Sequence, residues 1–213
     1  MPSADLDLVL RGAVFSAAGT TGQRCTSLRR FIVHKDIEET CVNRLSKAFS
    51  KLPVGDPRDP TTLVGPLIDN VALENMQLTL EAARSSGATV IGGEKLTEGV
   101  PTGGVYVRPA IVTGLAPGHE LVQKETFAPI LYVFTYRELD EALALHNGVD
   151  QGLSSAIFST DVRVTERFLG ASGSVVLGAE GSTVGLGVPS SPGLLGGGRV
   201  RFEDPIVDPP GWG

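Results

Sequence analysis

The stretch Arg30-Phe31-Ile32-Val33-His34-Lys35-Asp36-Ile37-Glu38-Glu39-Thr40-Cys41-Val42-Asn43-Arg44-Leu45-Ser46-Lys47-Ala48-Phe49-Ser50-Lys51-Leu52-Pro53 decides the fold class, because its periodicity changes partway along. Arg30 to His34 is a short apolar run with β-branched residues, the composition of a buried strand. Beyond Asp36, residues Ile37, Cys41, Leu45, Phe49 and Leu52 recur at three- and four-residue steps and form one apolar stripe of a helix. Asp36 is expected to cap that helix with Glu39 at the capping-box position, and Pro53 ends it.

The same grammar extends in both directions. Residues 5–18 read as a helix, with Leu6, Val9, Leu10, Ala13 and Val14 in register, followed by the Gly-bearing loop Gly19 to Cys25. Downstream, 69–86 is a helix stopped at Gly87, and 88–91 is a short strand. After a Gly/Thr-rich, hairpin-like stretch come strands at 105–112 and 130–136, a helix at 138–146 stopped by Asn147-Gly148, and a strand at 154–158. Alternating elements of this kind predict an α/β domain with a largely buried sheet. From Ala171 to Gly213 the chain holds 11 Gly and 5 Pro in 43 residues, above the level of about 25–30% that marks low-complexity sequence. The expected division is therefore a folded domain over 1–173 and a Gly/Pro-rich, disordered tail over 174–213, in which Val175 to Leu177 could add one strand before Gly178.

Composition narrows the function. In 213 residues, 41% hydrophobic and 20% charged content is ordinary for a soluble globular protein. A net charge of -6, with Arg24, Arg29 and Arg30 as the densest basic cluster, argues against nucleic acid as a partner. No run approaches the roughly 18 apolar residues of a membrane span, and the acidic, polar start from Met1 to Arg11 is not a secretory signal. Cys25 and Cys41 form no CxxC spacing, which fits free thiols in a reducing compartment, the cytoplasm or the mitochondrial matrix. His34, His119 and His146 are scattered, so no metal site is expected.

Cys25 ends the Gly-bearing loop and follows Arg24, with Arg29 and Arg30 close behind. Neighbouring positive charge and converging backbone N–H groups favour thiolate over thiol, so this cysteine is a candidate nucleophile; a buried cysteine in a turn is the competing reading. Cys41 lies within a helical apolar stripe, where packing alone explains it.

The wider string weighs for the nucleophile. Ala4-Asp5-Leu6-Asp7-Leu8 followed by Phe15-Ser16-Ala17-Ala18-Gly19-Thr20-Thr21-Gly22-Gln23-Arg24-Cys25-Thr26 resembles the active-site signature of the aldehyde dehydrogenase superfamily. A second motif of that family, the E-x-F-x-P box, stands about a hundred residues downstream as Lys124-Glu125-Thr126-Phe127-Ala128-Pro129. With Ile130 to Phe134 and Gln151 to Phe158, the match is closest to family 7 of the superfamily, which oxidises the α-aminoadipic semialdehyde of lysine breakdown, and it runs from about Ala4 to Gly173.

The resemblance implies a catalytic domain with a helix-covered, largely parallel sheet, and the family's chemistry on these residues. The Cys25 thiolate attacks the aldehyde carbon, the thiohemiacetal gives hydride to NAD, and water releases the acid from the resulting thioester. The Cys25 N–H helps to hold the developing oxyanion. Glu125 accepts hydrogen bonds from the nicotinamide ribose, for which two acceptor oxygens suit vicinal hydroxyls. Phe127 either orients the nicotinamide end or packs in the core. Arg24 pairs with the substrate carboxylate through a bidentate fork, or else serves the thiol or a surface pair. The partner is thus a small aldehyde, and a full-length family member is expected to be a homo-oligomer.

The resemblance also implies a Rossmann-like cofactor domain, a general-base glutamate and an oxyanion-hole asparagine ahead of residue 1, and these are missing from the 213 residues. Ser174 to Gly213 resembles none of the family's usual ending. Two functions follow as expectations: NAD-dependent oxidation of a semialdehyde, or a catalytically inactive form that binds the full-length oligomer. Slow esterase chemistry at Cys25 is a third.

Overall fold

The computed structural model describes residues 1–170, Gly173 and the backbone of residues 182–185. Its centre is a four-stranded sheet in the order β1-β6-β5-β2, formed by β1 (Arg30–His34), β2 (Thr89–Gly92), β5 (Ala110–Thr113) and β6 (Ile130–Tyr136). β1 and β5 run parallel to β6, with Arg30 opposite Tyr132 and Ala110 opposite Ile130; β2 joins antiparallel at the edge, with Thr89 opposite Thr113. β6 is buried at every position except Thr135, as befits a central strand covered on both faces.

Alternation along β6 sorts its side chains into two cores. Leu131 and Val133 face the helices α1 (Leu6–Ala18) and α2 (Glu38–Lys51), where Val9, Leu10, Ala13, Cys41, Leu45 and Phe49 complete one cluster with Phe31 and Val33 of β1. Ile130, Tyr132 and Phe134 face the opposite way onto α3 (Asn70–Ser85), whose Leu73, Met76, Leu80 and Ala83 fill the second. Leu45, Met76 and Leu80 are fully buried, and each such side chain contributes about 1.5–3 kcal/mol through burial. Asp5 caps α1 by accepting from the Asp7 and Leu8 N–H groups, and Asp69 caps α3 by accepting from Ala72 N–H at 2.8 Å. Gly87 follows α3 at φ +83°, the left-handed conformation expected of it.

Two readings need correction. Asp36 is not a helix cap: a 3-10 turn over Lys35–Ile37 comes first, the His34 imidazole accepts from Asp36 N–H at 3.2 Å, and α2 starts at Glu38 without a side-chain cap. The imidazole takes the capping role one turn early. The strand expected over 105–112 is broken into β4 (Tyr106–Val107) and β5, because Pro109 has no N–H for a continuous ladder. β4 instead pairs antiparallel with β3 (Lys95–Leu96) in the hairpin. Two helices passed unread, α4 (Glu120–Gln123) and α6 (Val162–Leu169).

The other helices and strands read from the sequence, at 5–18, 69–86, 88–91, 130–136, 138–146 and 154–158, stand close to their bounds. α5 (Leu139–Asn147) ends at Gly148, and β7 (Ser154–Ile157) pairs in parallel with β8 (Ser182–Gly185), which lies inside the tail. Val175 to Leu177 and the rest of the tail lie outside the described residues.

Candidate active site

The site is assembled where α1 gives way to β1. Thr20 (φ 53°), Thr21 (φ 54°) and Gly22 (φ 64°) take three successive left-handed conformations, a state that disfavours each residue with a Cβ by about 1–2 kcal/mol. Side-chain bonds hold the chain there. Thr21 Oγ1 donates to Gly65 O at 2.9 Å; Gln23 Nε2 donates to Pro66 O at 3.2 Å, while its Oε1 accepts from Ile68 N–H at 2.8 Å. The chain then closes a turn in which Ser27 N–H donates to Arg24 O at 3.0 Å and Arg24 N–H donates to Ser27 Oγ at 3.2 Å. Cys25 occupies the tip of that turn and is exposed. Cys41 is buried in α2, where desolvation pushes its thiol up against the opposing pull of the N-terminus and Arg44.

Among the described residues the guanidinium hydrogen bonds of the three arginines near Cys25 run to backbone carbonyls. Arg24 folds back onto α1: its guanidinium lies 5.0 Å from the Phe15 ring centre and Nη2 donates to Phe15 O at 3.2 Å, a cation set at a helix C-terminus. Arg30 stacks over Phe134 at 5.1 Å and donates to Leu145 O at 2.8 Å, and burial pushes its pKa down. Arg29 donates to Gly22 O and Ala128 O, both at 2.6 Å, and so joins the cysteine loop to the segment that holds the acidic motif.

In that segment Glu125 stands 3.8 Å from Arg29 Nη2 with its side chain 45% exposed, which leaves acceptor capacity for a ligand's hydroxyls. Phe127 lies under the Arg29 guanidinium at 5.4 Å and is 46% exposed, so a core role for it is excluded. Cys25, Arg24 and Glu125 share one cavity of about 850 Å³, whose wall also includes Thr126, Gln151 and Ser154. Ser154 Oγ donates to Thr26 O at 3.4 Å and ties β7 to the cysteine turn.

Sequence reasoning missed two polar groups on this cavity. His146 Nε2 stands 3.0 Å from Ser155 Oγ, and burial, aided by Arg30, holds the imidazole below its ordinary 6.5. Tyr132 carries a buried hydroxyl with no hydrogen-bond partner, and desolvation pushes its pKa up to about 12. His146 sits in no recognisable motif, Tyr132 belongs to the Ile130 to Phe134 string without an assigned role there, and only tertiary packing brings them to the cavity. Among the described residues there is no group of three or more His, Cys, Asp or Glu able to hold a metal ion, and no helix is long and apolar enough to cross a membrane.

Comparison with known proteins gives consistent matches. The aldehyde dehydrogenase family matches over residues 1–178. The α-aminoadipic semialdehyde dehydrogenase of Rattus norvegicus is 43% identical over 194 residues, 91% of this chain and 34% of its own length. Lactaldehyde dehydrogenase from Escherichia coli superposes with a TM-score of 0.72 at 32% identity, over 78% of this chain and 35% of that one. Betaine aldehyde dehydrogenase from Staphylococcus aureus, solved in complex with NAD⁺, gives 0.75 at 26% identity, over 78% and 33%. The chain thus spans about a third of the length of the relatives it matches.

Proposed function

Since the chain belongs to the aldehyde dehydrogenase family, we propose that it carries the nucleophile-bearing part of an NAD-dependent oxidation of an aldehyde to a carboxylic acid, with Cys25 as nucleophile. The observation that carries this reading is that the exposed Cys25 thiol and the half-exposed Glu125 carboxylate line one cavity. The 43% identity to the rat enzyme supports α-aminoadipic semialdehyde as the substrate.

The residues present suit the cofactor's nicotinamide end. Glu125 would hold the ribose hydroxyls and Phe127 would flank the ring, while Arg29 fixes the position of both. When bound, NAD supplies the hydride acceptor. The chain's own part is to present sulfur to the carbonyl carbon, since a soft thiolate adds readily there, and to offer the Cys25 N–H to the oxygen that gains charge. Arg24, on the same cavity wall, would bind the far carboxylate of the substrate by leaving its contact with Phe15.

The test is NADH formation from NAD and α-aminoadipic semialdehyde by the protein, with and without Cys25→Ser. Turnover abolished by C25S supports the reading; turnover that persists in C25S overturns it.

A further inference from the structure

We propose that Arg29 is the positioning residue of this site: its guanidinium straps the loop that leads into Cys25 to the box of Glu125 and Phe127, and so sets the spacing between thiol and cofactor. The inference rests on the reading of Cys25 and Glu125 given above and extends it to a residue outside both motifs.

Four contacts carry it. Nη2 donates to Gly22 O and Nη1 to Ala128 O, each at 2.6 Å, although Ala128 lies 99 residues away along the chain. Nη2 also stands 3.8 Å from Glu125 Oε1, and the guanidinium carbon Cζ lies 5.4 Å from the Phe127 ring centre. Arg29 is itself anchored to the sheet, since its carbonyl accepts from Tyr132 N–H at 2.8 Å. One planar fork therefore reaches the cysteine loop, the acidic side chain and the aromatic ring from a fixed base. A lysine ammonium, a point charge on a flexible stem, cannot hold two carbonyls in that fixed geometry.

A strap predicts that the two motifs communicate through it, whereas a merely structural arginine predicts only loss of stability. The distinction is made by a double-mutant cycle on the intact protein, with the alkylation rate of Cys25 by iodoacetamide followed by mass spectrometry. Glu125→Gln should change the Cys25 rate by about threefold or more when residue 29 is arginine, and should leave it unchanged in the Arg29→Met background. Cys41, buried in the same molecule, reports general opening.

An equal effect of E125Q in both backgrounds, including none in either, overturns the proposal. So does R29M that exposes Cys41 together with Cys25. Should R29M fail to fold, Arg29→Lys carries the same cycle, and loss of fold in both variants assigns Arg29 a structural role instead. Failure of the underlying reading is seen separately, as wild-type Cys25 that alkylates no faster than glutathione.

Discussion

Gly22 and Ala128 meet backbone to backbone: a Cβ at Gly22 would stand 2.6 Å from the Ala128 carbonyl carbon and oxygen, in a residue whose φ is +64°. The two motifs therefore touch through the one residue type that allows it. Gly22→Ala should destabilise the protein by more than about 1 kcal/mol, since strain and collision act together. Thermal unfolding checks this, and a melting temperature equal to wild type would refute it.

Tyr132→Phe should go the other way. The phenol hydroxyl is buried without a partner, and deleting an unsatisfied polar group removes a desolvation penalty of about 1–3 kcal/mol without breaking a bond. Equilibrium unfolding in urea should show a neutral or stabilising change; marked destabilisation would reveal a partner for that hydroxyl.

Stability should fall as pH drops through 6.5. Burial, with Arg30 beside it, holds His146 below that ordinary value, so the unfolded chain binds a proton that the folded chain resists, and the contribution is fully present only above 6.5. Asp56, held down to about 2 by its hydrogen bonds to Arg58, protonates far below this window and does not interfere. Melting temperatures between pH 8 and pH 5 should fall less steeply in His146→Gln than in wild type.

Arg24→Met tests the substrate side of the site. If the guanidinium takes the carboxylate of the semialdehyde, KM for that substrate should rise by about 10- to 100-fold, the size of a lost charge-assisted bond. KM for an uncharged aliphatic aldehyde should stay within about threefold of wild type, because no such bond is lost there. Parallel kinetics on the two aldehydes decide; an equal rise in both would refer the effect to the packing of Arg24 on Phe15.

Much of the fold was legible because its helices are written in period and its central strands in composition. The stripe of Cys41, Leu45 and Phe49 lies in the core as read, and the long apolar run from Ile130 forms the central strand. What failed was local competition. His34 and Asp36 are both able to cap, and spacing alone does not say which is used. α6 escaped notice because, at eight residues, it is shorter than the stretch over which a helical repeat is counted.

The candidate site divides in a similar way. Cys25, Arg24, Glu125 and Phe127 were singled out by resemblance to family motifs, and three of the four line one cavity. Arg29 was visible only as part of a basic cluster. Its reach to Ala128 spans 99 residues and exists only once β1 and β6 have paired.

The left-handed pair Thr20 and Thr21 makes the Cys25 segment a loaded latch. Each threonine leans against its own steric preference, so the segment keeps its shape only while outside tethers such as Thr21 to Gly65 persist. Cutting such a tether should let residues 20–27 spring open ahead of the sheet, which gives the protein a weak point beside its exposed thiol.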